Sequence, residues 1–143
     1  LQVAVVQCGL KKVSLINLRS AEQQQVIQLP ITLKGLNVGE KYIAFWDEHQ
    51  VALYEIVSAT TASLQMQPAT SFACSVSCAA VYQQGVCCIE ADKLNFRTFQ
   101  GTVKQTISMP EMEGDPMMLD INGSWMCVTN SNGFIRIYDL SAR

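Results

Sequence analysis

Four strand-like segments recur along the chain at a nearly constant interval, and this repeat limits the possible folds more than any other feature. KVSLINL (Lys12 to Leu18), QVALYEI (Gln50 to Ile56), KLNFRTF (Lys93 to Phe99) and FIRIYDL (Phe134 to Leu140) have the β-branched or alternating apolar character of half-buried strands. Their first apolar positions, Val13, Val51, Leu94 and Ile135, stand 38, 43 and 41 residues apart. An interval of about 40 residues is what one four-stranded sheet per repeat requires, with the sheets stacked around a common axis. No segment carries an apolar stripe at helical spacing long enough to compete.

Turn residues repeat in the same phase. Gly39, Gly85 and Gly123 each fall in a tight turn, where a positive φ is expected. Pro30, Pro68, Pro110 and Pro116 are assigned to connections between repeats, where no ladder amide is needed. With strands lettered a to d from the axis outward, residues 2–29 read as b, c, d; 31–67 and 72–109 as a to d; and 116–140 as a, b, c. The fold class is all-β: a partial WD40-like β-propeller of about three four-stranded antiparallel blades, spanning 1–143. Tyr138-Asp139 stands where such repeats carry Trp-Asp, but Ile16-Asn17, Tyr54-Glu55 and Arg97-Thr98 fill that place earlier, so the signature is degenerate. The sole histidine, His49, is assigned to a b–c hairpin tip, so the blades are expected to rely on apolar packing rather than a His–Asp network.

Composition narrows the partners. Hydrophobic residues make up 49% and charged residues 15%, against roughly 25% charged in an average domain, so much of the surface is expected to be covered. Ten basic and twelve acidic residues give a net charge of −2, and no cationic field exists to draw in nucleic acid or an anionic lipid surface. Membrane insertion is not expected either, because no apolar run reaches the roughly 20 residues a bilayer demands. Leu1 to Gly9 lacks the basic flank and cleavage site of a signal peptide, which points to a cytoplasmic compartment. Five of the six cysteines lie in or beside strongly apolar segments, as buried free thiols do.

His49, in WDEHQ, is the lone candidate for a near-neutral base and sits in a polar tip. Cys74 and Cys78, read on one extended strand, would lie about 13 Å apart and could not share a zinc ion. Cys87 and Cys88 are adjacent and should face opposite sides of a sheet. The eight glycines are dispersed, so no phosphate loop forms. The expectation is no catalytic residue, no cofactor and no metal: not an enzyme. One loop stands out, PEMEGDP, with acidic residues between methionines and without the oxygen-ligand spacing of a calcium loop. Because flexible thioethers suit adaptable surfaces, Met109, Glu111, Met112, Glu113 and Asp115 are nominated as protein-interaction residues, with Met117 and Met118 assigned to the core.

FRTFQGTVKQ, EMEGDPMMLDING and YDLSAR resemble the end of the second propeller in the intraflagellar transport protein 140 family, and weaker similarity reaches upstream through FWDEHQVALYEI to about residue 40. This resemblance implies a subunit of intraflagellar transport complex A, with two propellers followed by a helical-repeat solenoid. It implies work in retrograde ciliary transport and ciliary membrane-protein trafficking, at the cilium or flagellum and the basal body. The implied partners are other complex A subunits and ciliary cargo adaptors, and the family brings no catalytic residues.

The chain is expected to be a part of that larger protein, since about three blades leave two open flanks. On its own it is expected to self-associate, strand exchange between copies being one route. The alternatives are a propeller or sandwich ligand-binding protein or enzyme unrelated to cilia, with Asp47, Glu48, His49 and Glu113 as its polar groups, and an unrelated β-repeat protein.

Overall fold

In a computed structural model, residues 3–59 and 64–141 are described; residue 2, the expected start of the first blade, lies outside them. Among the described residues fourteen strands follow one another: β1 (Val3–Gly9), β2 (Lys12–Asn17), β3 (Gln23–Gln28), β4 (Gly35–Val38), β5 (Tyr42–Trp46), β6 (Gln50–Ala59), β7 (Leu64–Ala73), β8 (Cys78–Tyr82), β9 (Gly85–Glu90), β10 (Lys93–Arg97), β11 (Val103–Ser108), β12 (Pro116–Asn122), β13 (Trp125–Asn130) and β14 (Ile135–Asp139). They form four antiparallel meanders, β1–β3, β4–β7, β8–β11 and β12–β14. The architecture is therefore four sheets of three or four strands rather than three blades of four.

The four repeated segments are β2, β6, β10 and β14, the third-strand position of each repeat. The opening strands of the later sheets, β4, β8 and β12, lie against one another in that order, so the sheets radiate from one line. Asn37 on β4 ties the first two together, its Oδ1 accepting the Val81 amide at 2.8 Å.

Packing explains why the sheets stack in sequence. Alternation sends successive residues to opposite faces, so each central sheet can feed two cores. Val13 and Leu15 meet Ile43, Phe45, Ala52 and Tyr54 between the first and second sheets. Ala44, Trp46, Val51 and Leu53 meet Ala79, Val81, Val86 and Cys88 between the second and third. Ala80, Cys87, Ile89, Leu94 and Phe96 meet Leu119, Met126 and Val128 between the third and fourth. Cys87 and Cys88 thus do face opposite ways.

Three local expectations are corrected. The outer strand β7 runs on to Ala73 instead of ending near 67, and Pro68 lies inside it, at a register shift opposite Tyr54; an outermost strand at a bulge tolerates the missing amide. The third sheet consequently begins at Cys78 rather than 72, and Cys74 stands in the connection before it, so the two cysteines do not share a strand. Of the three turn glycines, Gly123 alone has a positive φ, at 62°. Gly85 is required by close approach, because a Cβ there would run into the Arg97 carbonyl oxygen, and at Gly39 it would lie 2.6 Å from Val81 Cγ1.

Candidate interaction surface and polar sites

The loop between β11 and β12 is built around one inward-turned carboxylate. Glu111–Glu113 makes a single 3-10 turn after Pro110, and the Glu113 amide donates to the Pro110 carbonyl at 2.9 Å. Glu113 is only 7% exposed. Its carboxylate receives Arg136 from β14 at two points, Nε to Oε1 at 2.7 Å and the terminal nitrogen to Oε2. This two-point cationic bond holds Glu113 below the usual carboxylate range.

The rest of the loop is tied to the β13–β14 turn. The Ser131 amide donates to the Asp115 carbonyl at 2.8 Å and the Ser131 hydroxyl accepts the Asp115 amide at 2.9 Å, while Asn132 Nδ2 donates to the Met112 carbonyl at 3.0 Å. Of the five nominated residues, Glu111, Met112 and Asp115 are exposed. Met109 is partly buried against the third core and Glu113 is committed to Arg136, so neither is presented to a partner. Met117 and Met118 were expected in the core but are 56% and 65% exposed, because the register shift between Pro116 and Met118 turns both outward.

A second polar cluster was not foreseen. Cys74, Cys88 and Glu90 bring one ligand atom each within 4.8 Å of one another. Glu90 is already engaged: Arg97 donates to both its oxygens at 2.8 and 2.9 Å, and Asn95 Nδ2 donates to Oε2 at 2.8 Å. Burial by itself would raise Glu90, but the bonds from Arg97, Asn95 and Cys74 outweigh it and hold the carboxyl low. The bond with Cys74, together with burial, pushes the Cys88 thiol far up, so it stays protonated. A cation here would stand beside the guanidinium and compete for the same carboxylate, and we read the trio as a hydrogen-bonded brace within the second core. No sequence signal marks it, because Cys74 sits 14 residues before Cys88 on another element.

Around the axis at one rim, the first turns of the last three sheets leave a groove of about 800 Å³, with Lys41, Tyr42, Gln83, Gln84, Asn122 and Ser124 among its lining residues. Asp47, Glu48, His49 and Glu113 are not among the residues that line it. His49 is exposed at the β5–β6 turn, as expected, where its amide and that of Gln50 donate to Asp47 Oδ1 at 2.7 and 2.8 Å. Those residues form a turn cap, and among the described residues no convergent polar site links them to Glu113 in the β11–β12 loop. Among the described residues, no helix is long and apolar enough to cross a membrane.

The model of the IFT140 second β-propeller matches residues 1–143, the whole chain, including the first third where the sequence resemblance fades. The chain belongs to that family. Solved structures agree on the architecture. The β-propeller domain of Cps50 (Swd1) from Myceliophteria thermophila superimposes with a TM-score of 0.68 at 11% identity, over 96% of this chain and 49% of that one. BBS1N, solved in complex with ARL6DN, gives 0.61 at 14% identity, over 96% and 50%. The computationally designed Ika4 protein gives 0.60 at 9% identity, over 98% and 86%. At these identities the likeness shows the propeller fold alone, and the chain spans about half the length of the two natural relatives.

Proposed function

We propose that this chain is a non-catalytic interaction module of an intraflagellar transport complex A subunit, acting in retrograde ciliary transport and in ciliary membrane-protein trafficking. The observation that carries the reading is the family match along the whole chain. Its partners are other complex A subunits and ciliary cargo adaptors, and its place of work is the cytoplasm, the cilium or flagellum and the basal body. BBS1N was solved with a bound protein, ARL6DN, which supports a propeller of this kind serving as a protein platform. The contact we favour is the braced loop, where Glu111, Met112 and Asp115 are displayed on a backbone that hydrogen bonds hold from two sides. A preordered loop loses little conformational freedom on binding, which favours contact there.

The test is affinity capture of the full-length family protein carrying Glu111→Lys, Met112→Asp and Asp115→Lys together. Loss of other complex A subunits, with unchanged circular dichroism of the chain, is the expected result. Undiminished capture removes the loop from the interface, and absence of complex A subunits even with the wild-type protein removes the functional reading.

A further inference from the structure

The fourth sheet turns at both rims on the same dipeptide. Asn122-Gly123 lies between β12 and β13, and Asn132-Gly133 lies between β13 and β14. Both asparagines are exposed, and both glycines have a left-handed φ, at 62° and 87°. Both glycines also stand in open space, with no atom within 4 Å of where a Cβ would be. Asparagine before glycine carries a reaction of its own, because no side chain on the second residue obstructs ring closure. The glycine amide nitrogen, once base has taken its proton, attacks the asparagine Cγ; the new C–N bond forms, Nδ2 leaves as ammonia, and a succinimide results. Water then opens the ring, at Cγ to give aspartate or at the main-chain carbonyl to give isoaspartate. One water is consumed and one ammonia released, with no change in oxidation state.

Hydrogen bonds separate the two steps where exposure does not. At Asn132 both reacting groups are held: its Nδ2 donates to the Met112 carbonyl, and the Gly133 amide donates to the Asn130 carbonyl, each at 3.0 Å. The Asn132 amide is fixed as well, on the Glu113 carbonyl at 3.1 Å. Ring closure there must break one bond that shields the proton base has to remove and another that pins the carboxamide to the neighbouring loop. At the other turn, among the described residues, neither the Asn122 carboxamide nor the Gly123 amide has a hydrogen-bond partner.

We propose that Asn122-Gly123 is an open site of spontaneous deamidation and that Asn132-Gly133 is a guarded one, which reacts only when the β11–β12 loop lets go. The two products differ in effect. At Asn122 a carboxylate enters the axial groove, where Lys41 is among the lining residues. At Asn132 a carboxylate replaces the donor that holds the Met112 carbonyl, so that acceptor faces acceptor and the loop cannot redock as before. Detachment exposes the guarded site and the reaction then keeps the loop detached, which makes product at Asn132 a one-way record of loop release. This chemistry stands whether or not the loop meets a partner, and so goes beyond the interaction-module reading without resting on it.

Ageing the full-length family protein in mildly alkaline buffer tests this, with peptide mass spectrometry to follow each asparagine and an isoaspartate-specific methyltransferase to count the rearranged product. In the folded protein Asn122 should convert about tenfold faster than Asn132, the ratio expected when two modest hydrogen bonds guard one step. In urea the two rates should converge, since each asparagine precedes a glycine. Two variants release the guard: Arg136→Ala frees Glu113 from its cation, and Ser131→Ala removes the hydroxyl that accepts the Asp115 amide. Each should raise the rate at Asn132 severalfold and leave Asn122 unchanged. Equal rates at the two sites of the folded protein overturn the proposal, as does an Asn122 that survives in the folded protein yet reacts in urea. An Asn132 rate that neither variant moves overturns the guarding role of the loop. Should Arg136→Ala fail to fold, its two sites will react at the common rate seen in urea, and Ser131→Ala then decides.

Discussion

Between β11 and β12 a single carboxylate decides which side chains can meet a partner. Glu113 turns inward to Arg136, and that leaves Glu111, Met112 and Asp115 outside. Arg136→Ala should loosen the loop, which amide exchange at residues 111–115 would report. Both Glu113 and Glu90 titrate low in the folded chain. The unfolded chain then binds more protons near pH 4, so the stability these groups supply is complete above their ordinary value of 4.5 and is lost as pH falls through the lower folded values. Urea midpoints should be flat above about pH 5.5 and fall below about pH 4.5. Arg97→Met, which leaves a largely buried carboxylate short of its cation, should cost about 2–3 kcal/mol at neutral pH. Ser14 gives the opposite sign: its hydroxyl is buried with no partner among the described residues. Ser14→Ala should therefore stabilise by about 1 kcal/mol in urea unfolding.

Strands were legible where their residues alternate against a neighbouring sheet, and less so where demand is set elsewhere in space. The four third strands stood out because an alternating apolar pair recurs in each, buried against a neighbouring sheet on β2, β6 and β10 and exposed on β14. The outer strand β7 did not, since its residues are mostly exposed and a proline interrupts it, yet it runs to Ala73 along the long partner β6. The repeat also shows why β6 is long. Asn17 and Asp139 end β2 and β14, and Thr98 follows β10, each with a side-chain oxygen that accepts an amide of the next turn: Arg19, Ser141 and Thr102 at 2.8, 2.9 and 3.2 Å. Glu55 stands in that place on β6, reaches instead across to Gln67, and the strand continues to Ala59. Glu113 and Arg136 are 23 residues apart, and nothing in either one's neighbourhood announces the pairing. The glycines separate two causes that look alike in sequence. Gly85→Ala should lower stability by about 1–3 kcal/mol, because the backbone of β10 must move. Gly123→Ala, with open space but a left-handed φ, should cost about 1 kcal/mol. Equal midpoints for the two variants would contradict this reading.

At the level of the whole molecule, each core joins two neighbouring sheets and, among the described residues, draws none from a third. Leu53→Ala at the second junction should cost about 2–5 kcal/mol, measured by denaturant unfolding. The second and third sheets are gripped on both sides, the first and fourth on one. A chain organised this way has no single keystone. Stretched between its ends, it should yield from the outside inward, shedding β1–β3 or β12–β14 as separate force peaks before the Asn37-pinned centre gives way, so whatever clasps its flanks also sets how much mechanical load it can carry.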